Sequence, residues 1–273
     1  MESDRIRSNC RGIVLCADDF GANAACSRAI IELARKRAIS AASCLVDAPY
    51  TAANVALLQS SAPHLSIGLH LDLTEFTASP TRATLQRWLM RGFLLRNIEA
   101  AAMLVEIRRQ LARFEKLTGA APAFVDGHCH VHQIPGVREP LLLELKRRYG
   151  HSVAVRSTRS SLTGNLKMRF LQELGGRAMH SLIAQSSLFC NTDFGGAYDF
   201  AMKPSFGARM EQWLRGIADG GLIMCHPEMP HHAGVPRSAR EAEYCFLASS
   251  SWAELQSRND VRLRGFISLH SAL

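Results

Sequence analysis

The sequence predicts an α/β fold, a parallel sheet whose strands are joined by crossover helices. Three observations predict it. Short apolar runs of strand length alternate with amphipathic, helix-length stretches about seven times along the 273 residues. Several of those runs are apolar throughout rather than alternating, as in strands buried on both faces. Ionisable residues recur at the C-terminal ends of the runs, where parallel α/β folds place their chemistry. On periodicity alone, a barrel and an open sheet remain equally open.

In chain order, residues 12–17 form a continuous apolar run that ends in Asp18-Asp19-Phe20-Gly21. Gly21 permits the sharp turn that follows. A helix is predicted over 27–37, with Ile30, Ile31 and Leu33 inward and Arg35-Lys36-Arg37 at its C-terminal end, where the dipole favours cations. Residues 42–46 predict a strand, 51–60 a helix, and 65–71 a strand that ends near His70. Residues 76–97 read as loop and short helix, and 98–118 as a long periodic helix stopped by Gly119. The next strand is expected over 123–130, a helix over 137–149 closed by Gly150, and a short strand over 152–156 that ends in Arg156. Residues 165–187 predict a helix that Gly175-Gly176 can break, and 187–196 a return to the sheet. A helix over 206–217, a strand over 221–227 carrying His226, a helix over 238–256 and a strand over 261–269 complete the chain. No linker, repeat or low-complexity segment divides residues 1–273, so one domain is expected.

Composition narrows the function. Hydrophobic content of 47% and charged content of 21% are those of a globular chain and exclude a disordered one. The net charge of +8 is mostly arginine spread along helices. It suits a solvated face better than a nucleic-acid surface, because no zinc finger, aromatic RNA-binding motif or Lys/Arg block accompanies it. Cysteines at 10, 16, 26, 44, 129, 190, 225 and 245 form no Cys-x-x-Cys pair and sit mostly in apolar runs. They read as reduced residues of a cytoplasmic protein rather than disulfides or zinc sites. No stretch of 18 apolar residues and no secretory hydrophobic segment is present, so no transmembrane span is expected.

The densest chemistry lies in Asp126-Gly127-His128-Cys129-His130-Val131-His132. Along an extended chain, Asp126, His128, His130 and His132 share one face. Burying four such groups together is costly unless something binds them, and imidazoles with carboxylates are what a divalent transition metal takes. Taken alone, the stretch also fits a polar surface turn, and Asp18-Asp19 also fits a helix N-cap with a first-turn acid. Their joint placement with His70, Arg156 and His226 at strand ends favours a site. Two histidines and one carboxylate leave positions open for water and substrate. A spare carboxylate can then act as base and a further histidine as acid, which describes amide hydrolysis without a covalent intermediate.

Ala17-Asp18-Asp19-Phe20-Gly21, Gly68-Leu69-His70-Leu71-Asp72-Leu73-Thr74, the stretch 126–132, and Cys225-His226-Pro227 together resemble the YdjC-like carbohydrate deacetylases. That family includes chitooligosaccharide deacetylases and hopanoid-associated relatives. The resemblance covers about residues 11–270 and implies a distorted, TIM-like (β/α) barrel. It also implies metal-dependent removal of acetyl from an N-acetylated sugar, with one zinc or magnesium ion. By position, Asp18 resembles the general base, Asp19, His70 and His128 the metal ligands, and His226 the general acid. Arg156 matches an arginine that orients the base. Asp126, His130, His132, Phe194 and Gly195 match substrate-contacting or supporting positions, the last two within a stretch, 191–200, that lines the substrate cleft.

Two rivals stand beside this reading. A metal-dependent phosphoesterase on a histidine-rich barrel would place a His-x-His near its N-terminus, where this chain has Asp-Asp. A non-catalytic sugar-binding protein would have lost a member of the set, and none is missing. The expected partner is an N-acetylated sugar or glycan, with a lipid or phosphate attached as one form. Arg156, Arg159 and Arg169, read as clustered at the cleft, motivate the phosphate. A homodimer is an allowed assembly, and nucleic acid is not expected.

Overall fold

The structure is a computed structural model and describes residues 10–162, 166–231 and 236–266. In chain order its elements are β1 (Arg11–Phe20), α1 (Ala24–Arg35), β2 (Ala41–Cys44), α2 (Thr51–Ser61), β3 (Ser66–Leu71), α3 (Leu85–Leu89) and a π-helical turn (Met90–Leu95). Then come α4 (Ala100–Thr118), β4 (Phe124–Gly127), a 3-10 turn (His128–Gln133), α5 (Arg138–Tyr149), β5 (Ala154–Val155), α6 (Leu166–Leu171), a second π-helical turn (Gln172–Gly176) and α7 (Arg177–Gln185). The chain closes with β6 (Phe194–Gly195), α8 (Phe206–Gly216), β7 (Leu222–Cys225), α9 (Ala239–Leu247), α10 (Ser250–Arg258) and β8 (Val261–Leu263).

All strand pairings are parallel, and the sheet curls into a distorted half-barrel in the order β5-β4-β3-β2-β1-β7-β6. The distortion has two causes. β8 pairs only with the foot of β1, through Arg11, Gly12 and Ile13, so β7 lies directly beside the rest of β1. Between β5 and β6 the ladder reduces to a bridge, with the Val155 N–H donating to the Phe189 carbonyl at 2.8 Å. Beyond it the Asn191 side chain joins the edges, accepting from the Ser157 N–H at 2.9 Å and donating to its carbonyl at 2.8 Å.

Several predicted boundaries are corrected. The strand expected over 123–130 ends at Gly127, because Cys129 and His130 take left-handed backbone (φ 51° and 57°) and coil the chain into a turn. The alternation assumed through His132 therefore stops at Asp126. The strand expected over 152–156 shrinks to Ala154–Val155 for want of a continuous neighbour on its far side. The helix expected over 238–256 is two helices. Ser249 ends the first, its hydroxyl donating to the Phe246 carbonyl at 2.7 Å in competition with the helical ladder. The last strand ends at Leu263, and its predicted continuation over 267–269 lies outside the described residues, as does the predicted helix start at Asn165. Among the described residues, no helix is long and apolar enough to cross a membrane.

Side-chain alternation sorts the core into two parts. Ile13, Leu15 and Ala17 of β1 face the helices in the larger cluster. Val14 and Cys16 face the interior with Ala41, Phe124, Ala154, Leu222 and Met224, floored by Phe266, whose ring stacks on Phe124 at 4.2 Å. A Cβ on Gly68 would lie 2.5 Å from the Phe124 ring, so that interior position of β3 must be glycine.

Candidate active site

Two residues beyond each interior apolar position the same alternation places a polar one. Cys16 is followed by Asp18, Ala41 by Ser43, Gly68 by His70, Phe124 by Asp126, Ala154 by Arg156 and Met224 by His226. These six form a polar layer on the apolar one, at the C-terminal end of the sheet, and all but His226 are buried.

Arg156 organises this layer. It is fully buried, its two terminal nitrogens each lie 2.6 Å from an oxygen of Asp18, and Nη2 is 2.5 Å from Asp126 Oδ2. Burial alone would lift the Asp18 carboxyl, but the guanidinium outweighs it and holds that carboxyl well below the usual carboxylate range. Cys16, Asp18 and Asp126 also lie close enough to hold an ion, but Arg156 already balances their charge and burial pushes the Cys16 thiol up. Asp18 Oδ2 lies 3.9 Å from His226 Nε2.

Asp19 departs from the alternation, which would turn it toward the helices. Its backbone is left-handed (φ 66°), a strained state that costs about 1–3 kcal/mol and returns the side chain to the site. Its Oδ1 is 3.5 Å from His70 Nε2 and 3.0 Å from His128 Nδ1. One ligand atom from each of the three lies within 4.8 Å of the others. The far nitrogen of each imidazole meets a carboxylate. His70 Nδ1 is 2.6 Å from Asp126 Oδ1, which also accepts from Ser43 Oγ at 2.5 Å, and His128 Nε2 is 3.3 Å from Glu75 Oε2. Carboxylate–imidazole pairs of this kind orient metal ligands. Arg240 Nη2 donates to Asp19 Oδ2 at 2.8 Å, which leaves Oδ1 for the imidazoles.

Burial works against charge on both rings, yet the carboxylates win. His70, beside Asp126, is pushed up to about 10, and His128, beside Asp19, up to about 11. Without an ion the two rings thus serve as Asp19's counter-charge. One carboxylate oxygen and two imidazole nitrogens fit a divalent transition ion, which replaces such protons on binding.

His130 lines the cleft with Nδ1 buried and without a hydrogen-bond partner, and burial pushes the ring below the ordinary imidazole value. His132 is buried and faces away, its Nε2 at 3.1 Å from the Arg156 carbonyl. Phe194 meets His130 edge-on at 5.9 Å, and neither it nor Gly195 lines the cleft. Phe200, at the end of the same stretch, does. The arginine cluster is corrected: Arg156 is engaged by carboxylates, and Arg159 lines a separate depression with Gln172, Arg177 and His180. The sequence reading missed Ser43, Glu75, Arg240 and Glu243. Glu243 is buried, accepts from the Tyr198 hydroxyl at 2.5 Å and from the His226 N–H, and burial pushes its carboxyl up to about 7. Only Ser43 carried a usable signal, its interior parity on β2.

Fold and site define a class: a curled parallel α/β barrel with a carboxylate–imidazole group at the C-terminal ends of its strands. The family described as YdjC-like protein matches residues 12–258, and the chain belongs to that family. It is 25% identical over 242 residues to the chitooligosaccharide deacetylase of Escherichia fergusonii, a match that covers 86% of this chain and 87% of that protein. A putative cellobiose-phosphate cleavage protein from Enterococcus faecalis shares the fold with a TM-score of 0.70 at 20% identity, covering 96% of this chain and 99% of that one. A family 4 acetyl xylan esterase from Clostridium thermocellum, in complex with a cobalt ion, superposes with a TM-score of 0.50 at 15% identity, covering 95% and 90%.

Proposed function

We propose that the chain is a metal-dependent hydrolase that removes the acetyl group from an N-acetylated amino sugar or glycan. The observation that carries this reading is the convergence of Asp19, His70 and His128 on one point beside an ionised Asp18. The family and the deacetylase relative support the substrate. Asp19 Oδ1, His70 Nε2 and His128 Nδ1 would hold the ion. What a divalent ion supplies there when bound is Lewis acidity and a lowered pKa for water.

The chain's own residues do the rest. Arg156 keeps Asp18 ionised and fixed, so that Asp18 Oδ2 can take the proton of the attacking water. Glu243 holds the backbone of His226, whose Nε2, 3.9 Å from Asp18 Oδ2, takes up that proton and passes it to the departing amine nitrogen. The amide C–N bond breaks, a C–O bond forms, and acetate and free amine result. Burial pushes His226 below the ordinary imidazole value although Asp18 and Asp19 oppose it, which makes its protonated form a willing donor. Eight free cysteines fit a reducing compartment, and we place the protein in the cytoplasm on that ground.

Acetate release from a panel of N-acetylated sugars by zinc-, cobalt- and magnesium-loaded protein tests the reading. Asp18→Asn should lower turnover by at least about a hundredfold while calorimetry shows ion binding retained. No acetate from any loaded form on any member of the panel would remove the reading.

A further inference from the structure

The cleft of about 320 Å³ over the site falls in the range of small-ligand pockets, about 300–1,000 Å³. Its two sides are unlike. One carries the ionisable groups just described. The other is lined by Leu85, Leu89, Ile134, Phe170, Leu171 and Leu174. Apart from Ile134, which follows the turn after β4, two insertions build this wall, α3 with its π-helical turn after β3, and α6 with its π-helical turn after β5. They meet closely. A Cβ on Gly175 would lie 3.4 Å from Phe93 and 2.6 Å from the Gln133 carbonyl, and one on Gly92 would lie 2.3 Å from the Ile134 side chain.

The wall has few hydrogen-bonding groups to offer a sugar. Its amide, Gln133, is fully engaged: Nε2 donates to the carbonyls of Leu171 at 3.2 Å and Leu174 at 3.1 Å, and Oε1 accepts from Thr158 at 2.6 Å. Gln133 therefore holds the leucines in place, with both amide hydrogens committed to their carbonyls. Trp88, the indole of this insertion, is buried with its N–H on the Leu73 carbonyl at 2.9 Å and presents no stacking face. Hydroxyls laid on such a wall lose water without replacement. The same two segments expose further apolar side chains: Phe170 is 61% exposed, and Met90 and Leu94 are 48% and 76% exposed.

Resting on the amide-hydrolase reading of the same site, we propose that the substrate carries an apolar chain of several carbons beside the scissile amide, lying along the wall formed by Leu85, Leu89, Leu171 and Leu174. Two attachments give that chemistry, a long acyl group on the amide nitrogen or an alkyl aglycone on the sugar.

Three probes distinguish them: methyl N-acetylglucosaminide, octyl N-acetylglucosaminide and methyl N-octanoylglucosaminide. Turnover is read as free amine with zinc-loaded protein, and equilibrium binding of each probe by calorimetry with ion-free protein. At about fourfold per buried methylene, one octyl probe should exceed the methyl parent by at least about tenfold in kcat/KM and in affinity. A gain on the octyl glycoside places the chain on the aglycone and leaves acetyl as the group removed, whereas a gain on the octanoyl amide places it on the acyl group and replaces acetyl by a longer acyl group in the proposed function. Leu89→Gln and Leu174→Gln should each cut the octyl-to-methyl ratio several-fold. Equal binding and equal kcat/KM for all three probes overturn the inference, and with turnover present they leave the hydrolase reading standing. Chain-dependent binding without turnover of any probe supports the apolar wall and counts against the hydrolase.

Discussion

Replacing Arg156 by methionine leaves the buried carboxylates of Asp18 and Asp126 without their shared cation. Arg156 and Asp126 are fully buried and Asp18 is 2% exposed, with contacts of 2.5–2.6 Å, so solvent cannot substitute. Removing one partner of a buried pair costs about 3–5 kcal/mol. One guanidinium serves two carboxylates here, so the loss at pH 8 should reach the upper end, about 5 kcal/mol, as large as the whole stability of a marginal domain. The pH dependence should also change sign. In the native protein the folded Asp18 carboxyl lies below its ordinary 3.8, so its contribution is present above that value and fades only as pH falls below it. Without Arg156, only His70 and His226 oppose burial at Asp18, and its carboxyl rises above the ordinary value. The folded variant then binds extra protons, and its stability declines as pH rises above about 4. Urea unfolding followed by circular dichroism at pH 5 and pH 8, with chelator present, measures both effects. The loss should be smaller at pH 5, and a variant that folds at pH 5 but not at pH 8 meets the same expectation. A loss under about 1 kcal/mol, or an equal loss at both pH values, would refute the neutralising role of Arg156.

Further outcomes are expected at four positions. His128→Ala should weaken zinc binding by at least about tenfold in calorimetry. His132→Ala should retain the ion but lose about 1–3 kcal/mol of stability with its hydrogen bond to the Arg156 carbonyl, and equal zinc loss in the two variants would contradict His128 as the ligand and His132 as its bystander. Glu75→Gln should weaken zinc binding by up to about tenfold with unfolding unchanged within about 0.5 kcal/mol, because Glu75 is exposed and touches His128 Nε2; unchanged affinity would remove it from the site. Glu243→Gln should flatten a pH dependence that the native protein shows. The Glu243 carboxyl rises from 4.5 to about 7 on folding, so stability present below pH 4.5 is lost as pH rises through 7, a swing of about 3 kcal/mol at about 1.4 kcal/mol per pH unit. Parallel stability profiles of variant and native protein would rule this out.

The sequence by itself determined the parallel α/β class and much of the polar layer. Strand side chains alternate with period two, so an apolar run that ends in Asp18, His70, Asp126, Arg156 or His226 shows both which residue emerges at its end and which face it takes. That logic fails wherever the backbone leaves the extended region. Asp19 joins the site through a left-handed residue, and Cys129 and His130 coil what alternation extends through His132. Nothing local to those residues announces the change, because the surrounding packing sustains the strain. Arg240, Glu243 and Glu75 were invisible for a different reason. They lie on a helix and a loop, where periodicity separates buried from exposed positions but not one buried partner from another. Arg240 meets Asp19 across 221 positions of chain and Glu75 meets His128 across 53. Such meetings depend on how the half-barrel curls, and on the β8 pairing and the β5–β6 gap that distort it. The apolar wall is likewise a product of tertiary structure, since Leu85, Leu89, Leu171 and Leu174 face one cleft only because two segments far apart in sequence meet at Gly175 and Phe93, with Gly92 packed on Ile134.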